Sequence, residues 1–323
     1  RMTKVLVFEP RDLTISVEAG LPWSRFTALI AQHGMMVPLD PPFFDQATVG
    51  GVVAANTCGP RRRGFGTVRD AVIGMQFATL QGKLIQSGGM VVKNVAGLDM
   101  SKLMIGSFGT LAAIATVNFK LTPAPGAWRT FVMTSPDLAS VVTERDRILQ
   151  SVMQPLAIDI FNPAAARRLG LSDFCLAVQT SGNESVLNRW QRDLPRFEVL
   201  PDETATRLWT EVREFTPKFL EDFPAAAVVR HSTTLAGVAP VLQRSDAPAI
   251  ARAGNGVIYR YVEDAAELRD GSHGGVIEFC QARLKESLDL WPSPGSSFAT
   301  MQRIKQLFDP SGLLNPGRLY GRI

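Results

Sequence analysis

Three short stretches of this 323-residue chain each contain two or three glycines, and each stretch lies where one predicted secondary-structure element gives way to the next. The first stretch contains Gly50 and Gly51, the second covers residues 59–70, and the third covers residues 106–114. Glycine adopts backbone conformations that other residues resist, and it lets the backbone approach a bulky neighbour. The three turns together predict the lining of one extended cofactor.

The first glycine pair follows a residue that suits a helix start. Thr48 can be the N-cap of a helix that begins at Val49. Free N–H groups at such a start, with no Cβ in the way, would form an anion site of the kind that a dinucleotide pyrophosphate needs. An ordinary helix start that contains glycine is the alternative interpretation.

The length of the chain and its apolar pattern predict two domains. In the first half, strands are predicted at residues 4–8, 14–17, 71–80, 83–86 and 111–121, with helices at 21–33 and 100–105. In the second half, strands at 130–134, 157–161, 174–179, 225–231 and 256–262 alternate with helices at 137–151, 184–193, 205–215 and 278–288, and a last helix covers 297–308. This order predicts an α+β fold whose second sheet carries helices on one face.

Composition argues against several classes of protein. Hydrophobic residues make up 46% and charged residues 20%, as in globular domains, and no apolar run is long enough to span a membrane. The net charge of +4 is a mild excess whose one dense basic run is Arg61–Arg63, so nucleic acid is not an expected partner. No signal peptide is visible, and a piece missing before Arg1 is expected.

Cysteine and histidine are too few for a built-in redox or metal centre. The chain has three of each, namely Cys58, Cys175, Cys280, His33, His231 and His273. The absence of a CxxC pair argues against a disulfide framework, a zinc site or an iron–sulfur cluster, and favours a reducing cytoplasm. Without a close histidine pair, no metal is expected.

Six runs of residues carry a resemblance to a known family. They are ATVGGVVAAN at 47–56, GPRR at 59–62, VRDAVIG at 68–74, GGMVVKNVAG at 88–97, GSFGTL at 106–111 and FDPSGLLNPGR at 308–318. They resemble the vanillyl-alcohol oxidase family of flavoproteins, which binds FAD in a PCMH-type domain. The run from Lys93 to Gly97 is the most telling, because it resembles the glycolate-oxidising members more than the wider family.

The resemblance implies a two-domain α+β flavoprotein. Residues 1–125 would form the PCMH-type FAD-binding domain, residues 126–295 a cap domain with an antiparallel sheet and helices, and residues 296–323 a segment that returns to the FAD-binding domain. Family members also have an earlier strand and glycine-rich loop that hold the pyrophosphate, and these would precede Arg1.

The resemblance also implies which residues bind FAD. The residues that would face the flavin or the pyrophosphate are Thr48, Gly50, Gly51 and Asn56. Those that would line the diphosphate and ribose are Gly59, Gly64 and Thr67, and those at or near the adenine end are Gly109 and Ile114. Pro42 and Asp70 are further candidates for binding the cofactor. From the C-terminal tail, Asn315 would reach back towards the flavin ring.

Arg230, His231 and His273 are the candidate catalytic residues. Arginine is suited to holding a small carboxylate, and a neighbouring histidine can act as a base. A histidine at a strand end is also common as a surface residue with no catalytic role.

Three further features have alternative interpretations. The Arg61–Arg63 run could meet FAD phosphates, contact a partner subunit or lie in a solvated loop. Lys93 is a candidate for a flavin or partner contact, and Cys58 for a small buried filler rather than a covalent flavin link.

The function implied by the resemblance is oxidation of a small 2-hydroxy acid such as glycolate, with hydride transfer to the flavin. The implied partners are a second FAD subunit and an iron–sulfur subunit, in the cytoplasm or peripheral to the inner membrane through those subunits. The chain would be either catalytic itself or an accessory subunit whose FAD relays electrons or stabilises the complex. Another FAD-linked 2-hydroxy acid dehydrogenase is a further alternative. Relatives that act alone often carry metal-binding histidines in the cap, and their scarcity here favours the accessory role.

Overall fold

The computed structural model of this chain describes residues 2–91, 97–269, 273–285 and 288–323. The strands are β1 (Val5–Glu9), β2 (Thr14–Glu18), β3 (Met35–Met36), β4 (Val72–Ala78), β5 (Leu84–Gly88), β6 (Ala113–Lys120), β7 (Thr122–Pro123), β8 (Trp128–Ser135), β9 (Ala157–Phe161), β10 (Phe174–Ser181), β11 (Glu198–Val199), β12 (Ala227–Ser232), β13 (Ala249–Arg252), β14 (Val257–Val262) and β15 (Val276–Phe279). The α-helices are α1 (Trp23–Ala31), α2 (Val49–Ala55), α3 (Arg62–Phe65), α4 (Val68–Ala71), α5 (Ser101–Met104), α6 (Leu138–Gln150), α7 (Pro163–Arg168), α8 (Glu184–Asp193), α9 (Asp202–Arg213), α10 (Phe215–Asp222), α11 (Val238–Gln243) and α12 (Phe298–Phe308).

The chain divides into two compact units. The first unit comprises Arg1–Gly59, Gly66–Ala124 and Ser293–Ile323, and the second comprises Pro60–Phe65 and Pro125–Pro292. The sequence predicted one continuous stretch, residues 1–125, for the FAD-binding domain. Residues 60–65 instead pack with the second unit, because α3 lies against β9 there.

The first unit is built on an antiparallel sheet with the strand order β1-β2-β6-β4-β5. Helix α1 buries Trp23, Phe26 and Ile30, whose spacing forms one apolar face. The rings of Trp23 and Phe26 lie 6.3 and 5.3 Å from the ring of Phe119 in β6, measured between centroids. This aromatic cluster joins the helix to the sheet in a single core.

The second unit contains an eight-stranded antiparallel sheet with the order β11-β8-β10-β9-β13-β14-β12-β15. Leu176 and Val178 of β10 pack in the core that α6 and α8 cover, whereas Cys175 and Ala177 pack in the core that α9 and α10 cover. Helices therefore cover both faces of this sheet, and the prediction of one covered face is wrong. The continuous apolar run of β10 is the pattern of a strand buried on both sides.

The predicted helix at residues 278–288 is also wrong. Residues 276–279 form strand β15, which pairs with β12 through Val229 and Ile277, and a 3₁₀ turn follows at Ala282–Leu284. Tertiary pairing overrides the local helix preference of this segment. Of the helices in the described ranges, none combines the length and apolar character needed to cross a membrane.

Candidate functional site

Helix α2 begins at the first glycine pair. Thr48 is its N-cap, and Thr48 Oγ1 accepts a hydrogen bond from the Gly51 N–H at 3.2 Å. The N–H groups of Val49 and Gly50 donate to carbonyl oxygens of the segment 19–21, at 3.0 and 2.7 Å. The prediction of free N–H groups here is therefore wrong, because the chain itself occupies the first three donors of the helix.

Gly50 and Gly59 lie at close packing contacts. A Cβ on Gly50 would lie 2.8 Å from the Cβ of Ala19. A Cβ on Gly59, which is buried, would lie under 3.0 Å from both the backbone oxygen and the side chain of Asp40. The need for glycine at both positions thus follows from contacts within the chain, and their contact with a cofactor stays a prediction.

Thr67 and Asp70 form a capping box at the start of α4. Asp70 Oδ2 accepts from the Thr67 N–H at 2.7 Å and from the Thr67 hydroxyl at 2.9 Å. Thr67 Oγ1 in turn accepts from the Arg69 N–H at 3.2 Å. Thr67 and Asp70, which were predicted to contact the cofactor, therefore have a structural role at the start of the helix.

The capping box predicts a pH-dependent contribution to stability. The hydrogen bond from the Thr67 N–H, which outweighs the opposing effect of burial, holds the pKa of Asp70 below its ordinary 3.8. The stabilisation is therefore present above pH 3.8 and lost as the pH falls through the folded pKa. We expect Asp70→Asn to lower the free energy of unfolding by about 1 kcal/mol at neutral pH. In urea titrations the difference should vanish in acid; a difference that is constant with pH would contradict this prediction.

The predicted contact at Gly64 lies in the second unit. The Gly64 N–H donates to the carbonyl oxygen of Leu156 at 3.0 Å, and a Cβ on Gly64 would lie 2.7 Å from the Leu156 Cα. Arg61 Nε donates to Gln179 Oε1 at 3.0 Å, and Arg63 donates to a backbone oxygen of the same unit at 3.5 Å. The basic run is thus anchored inside the second unit by two of its three arginines.

Helix α2 ends at Asn56, whose φ of 51° is left-handed. The N–H groups of Gly106 and Phe108 donate to the carbonyl oxygens of Val53 and Ala54, at 3.2 and 2.9 Å. A Cβ on Gly106 would lie 3.4 Å from the Cβ of Asn56. The third glycine turn, residues 106–110, therefore lies across the C-terminal end of α2.

Two buried polar side-chain atoms lie near this junction. Among the residues that the structure describes, neither Asn56 Oδ1 nor Ser107 Oγ has a hydrogen-bond partner. A buried polar atom without one costs roughly 1–3 kcal/mol. A ligand with its own polar groups would remove that cost, so these atoms fit a cofactor such as FAD.

The C-terminal segment contacts the same turn. Asn315 Nδ2 donates to the carbonyl oxygen of Phe108 at 2.6 Å, and a Cβ on Gly109 would lie 2.9 Å from that nitrogen. The guanidinium of Arg318 lies 4.6 Å from the centre of the Phe108 ring. The structure thus brings three predicted cofactor residues, Asn56, Gly109 and Asn315, to one glycine turn.

Other predicted positions have fewer distinguishing contacts. Pro42 is half-buried in the loop before α2, and Ile114 is half-buried in β6. Cys58 is half-buried, with its Sγ 3.7 Å from the Asn56 carbonyl oxygen. Lys93 lies outside the described residues.

The sequence interpretation missed Ser107, Lys305 and Asp309. Ser107 lies in the GSFGTL run at 106–111, in which Gly109 was the predicted cofactor residue. Lys305 and Asp309 are four residues apart at the end of α12, a spacing that places oppositely charged side chains together. In the sequence, this spacing was the signal that the two side chains form an ion pair.

Arg230 lies in β12 and already binds a carboxylate. Its Nε donates to Glu278 Oε1 of β15 at 2.5 Å, and its Nη1 donates to Ser232 Oγ at 2.9 Å. The side chains of Arg230 and Glu278 are 28% and 29% exposed, so another carboxylate could compete for the guanidinium. A substrate contact at Arg230 stays a prediction.

His231 is held neutral by its surroundings. Burial, with a smaller contribution from the charge of Arg260, lowers the pKa of His231 below 6.5. Within the described ranges, its Nε2 has no hydrogen-bond partner. A neutral imidazole with one unengaged nitrogen retains the chemistry of a base.

His273 has a different environment. It is buried, its Nε2 lies 2.9 Å from the Asp289 carbonyl oxygen, and the Gly275 N–H lies 3.5 Å from its Nδ1. A Cβ on Gly275 would lie 2.6 Å from the Arg230 carbonyl oxygen, so this turn packs against β12 beside the other two candidates. Because backbone groups engage both ring nitrogens, the arrangement favours a structural role for His273. In the part of the chain that the structure describes, no group of histidine, cysteine, aspartate and glutamate side chains is arranged to hold a metal.

Comparisons with known proteins agree on the class of protein. A family model described as the FAD binding domain matches residues 1–88, and one described as FAD linked oxidases, C-terminal domain, matches residues 294–319. The chain is similar to glycolate oxidase subunit GlcE of Escherichia coli, with 28% identity over 99% of this chain and 85% of the relative. It is also similar to glycolate oxidase subunit GlcD of Bacillus subtilis, with 21% identity over 99% of this chain and 78% of the relative.

A solved structure shares the fold. Alkyldihydroxyacetonephosphate synthase matches with a TM-score of 0.72 and 18% identity, covering 99% of this chain and 67% of that one. The two family models match the two parts of the first unit, the N-terminal part and the C-terminal segment, that meet at the third glycine turn. The chain is therefore similar to FAD-linked oxidases in both of these segments.

Proposed function

We propose that this chain is the FAD-binding subunit of a dehydrogenase that oxidises glycolate or a similar 2-hydroxy acid. The observation that carries the proposal is the third glycine turn, where two buried polar atoms that find no partner in the described part of the chain lie beside the end of α2. The relatives named as glycolate oxidase subunits support the substrate class. Their description as subunits supports a multisubunit complex.

The residues that would hold FAD are those that the turn brings together. Asn56 Oδ1 would accept, and the Ser107 hydroxyl would donate or accept, hydrogen bonds with polar groups of the cofactor. Asn315 uses an Nδ2 hydrogen for Phe108 and is otherwise exposed, which leaves its Oδ1 for the ligand. When bound, FAD supplies the acceptor for the hydride that leaves the hydroxyl-bearing carbon.

Two observations favour the accessory role as a second candidate. Arg230 is paired with Glu278, and both ring nitrogens of His273 are engaged by the backbone. A substrate carboxylate would compete with Glu278 for the Arg230 guanidinium. In this alternative the FAD of this chain relays electrons or stabilises the complex, and a second FAD subunit carries out the oxidation. An iron–sulfur subunit would accept the electrons, in the cytoplasm or at the inner membrane surface.

The test combines flavin content with activity. The full-length protein should be purified alone and with its partner subunits, and its visible flavin absorbance measured before and after incubation with FAD. Glycolate-dependent dye reduction should then be compared with reduction by acetate, which lacks the hydroxyl. Activity of the isolated chain would support a catalytic role, and activity only in the complex would support the accessory role. A protein that binds no flavin in either state would contradict both.

A further inference from the structure

Lys305 is a nearly buried lysine in the last turn of α12, with 9% of its surface exposed. Its Nζ donates to the Thr110 carbonyl oxygen at 2.8 Å, to Asp309 Oδ2 at 2.5 Å and to the Leu314 carbonyl oxygen at 2.8 Å. An ammonium group has three N–H donors. All three are used, so Lys305 has none left for a ligand.

Asp309 follows α12 and joins Lys305 to the chain reversal that comes next. It is 2% exposed, and its carboxylate accepts from the N–H groups of Leu313 and Leu314, at 3.0 and 2.7 Å. Although burial raises the pKa of Asp309, the bonds from Lys305 and from these two N–H groups outweigh it and lower the pKa to about 2. The Asp309 carboxyl group is therefore ionised at neutral pH.

The pair holds the backbone of Leu314 and so sets the position of the residue that follows it, Asn315. This residue has a left-handed φ of 43°, and its Nδ2 holds the Phe108 carbonyl oxygen. Lys305 donates a hydrogen bond to the same turn two residues further on, at the Thr110 carbonyl oxygen. The C-terminal segment, residues 309–318, thus contacts the third glycine turn at Phe108, and Lys305 joins the same segment to the turn at Thr110.

We propose that the Lys305–Asp309 pair positions the FAD site by docking residues 309–318 on residues 106–110, so that cofactor binding and docking of this segment stabilise each other. The inference rests on the proposed function, because it takes the third glycine turn as the cofactor site. Lys305 and Asp309 are positioning residues that act through Thr110, Phe108 and Asn315.

Linkage explains why the coupling must be reciprocal. If FAD binds more tightly to the docked segment than to the undocked one, it must shift the docking equilibrium by the same factor. A buried ion pair contributes little net stability relative to an apolar pair, but it holds groups in one geometry when all its hydrogen bonds are satisfied. Every donor of Lys305 is satisfied here, which suits a role in setting geometry.

The first test is Lys305→Met, assayed by FAD titration of the full-length protein with flavin fluorescence. We expect the Kd for FAD to rise about tenfold or more. The matched control is Ile30→Ala, which removes a fully buried side chain from the core of the same unit. It should lower the melting temperature of the FAD-free protein while leaving the Kd within about twofold. Equal shifts in Kd for both variants would overturn the inference.

The second test needs no variant and decides the matter if Lys305→Met does not fold. Amide hydrogen exchange of the wild-type protein should be followed with and without saturating FAD. We expect exchange at residues 313–318 to slow about tenfold with FAD, and exchange in α8 of the second unit to stay unchanged. If the wild type binds FAD without slower exchange at residues 313–318, the inference is overturned and the proposed function still stands. A wild type with no saturable FAD binding would overturn the proposed function, and the inference with it.

Discussion

Gly59→Ala should destabilise the first unit by about 3 kcal/mol or more. The added methyl group would lie under 3.0 Å from the backbone and side chain of Asp40, closer than real Cβ contacts. Because one of these neighbours is a backbone oxygen, the chain must shift to accommodate it. Urea or thermal unfolding of the FAD-free protein measures the loss.

Gly89→Ala is the matched control for Gly59→Ala. Gly89 is in the same unit, and a Cβ there would meet no atom of the described residues within 4 Å. Its substitution should change the free energy of unfolding by only about 0.5 kcal/mol. If Gly59→Ala instead left the FAD-free protein as stable as the wild type and weakened only FAD binding, Gly59 would be a cofactor residue and the packing explanation would be wrong.

Asn56→Gly should weaken FAD binding about tenfold with little effect on the FAD-free protein. The substitution removes an Oδ1 that lacks a partner among the described residues, so the FAD-free chain loses no hydrogen bond at that atom. Glycine also keeps the left-handed φ of 51° without strain. We expect the free energy of unfolding to change by less than about 1 kcal/mol. Fluorescence titration with FAD and urea unfolding measure the two effects separately.

Asn183→Ala provides the opposite pattern as a control. Asn183 caps α8 of the second unit, and its Oδ1 accepts from the Val186 N–H at 3.0 Å. Loss of this cap should cost about 1 kcal/mol of stability and leave the Kd for FAD unchanged. An Asn56→Gly protein that binds FAD like the wild type would remove Asn56 from the cofactor site.

The glycine turns show how far local sequence patterns reach. The helix start at Thr48 and the turn at residues 106–110 were predictable, because capping residues and glycine have strong local preferences. The use of their N–H groups was not predictable, because the acceptors for Val49 and Gly50 come from residues 19–21. The same limit applies to the sheet of the second unit, where the order of strands and helices along the chain does not show which face of the sheet each helix covers.

The sequence by itself determined the α+β class, the resemblance to FAD-linked oxidases and the choice of Asn56, Gly109 and Asn315 as candidate cofactor residues. Only the tertiary structure decided that Gly59 and Gly64 lie at close packing contacts, that Thr67 and Asp70 start a helix, and that Lys305 binds the third glycine turn. The physical reason is that the backbone preferences of a residue are local. The atoms that pack against a glycine, and the partner of a buried charge, come instead from residues that only folding brings close.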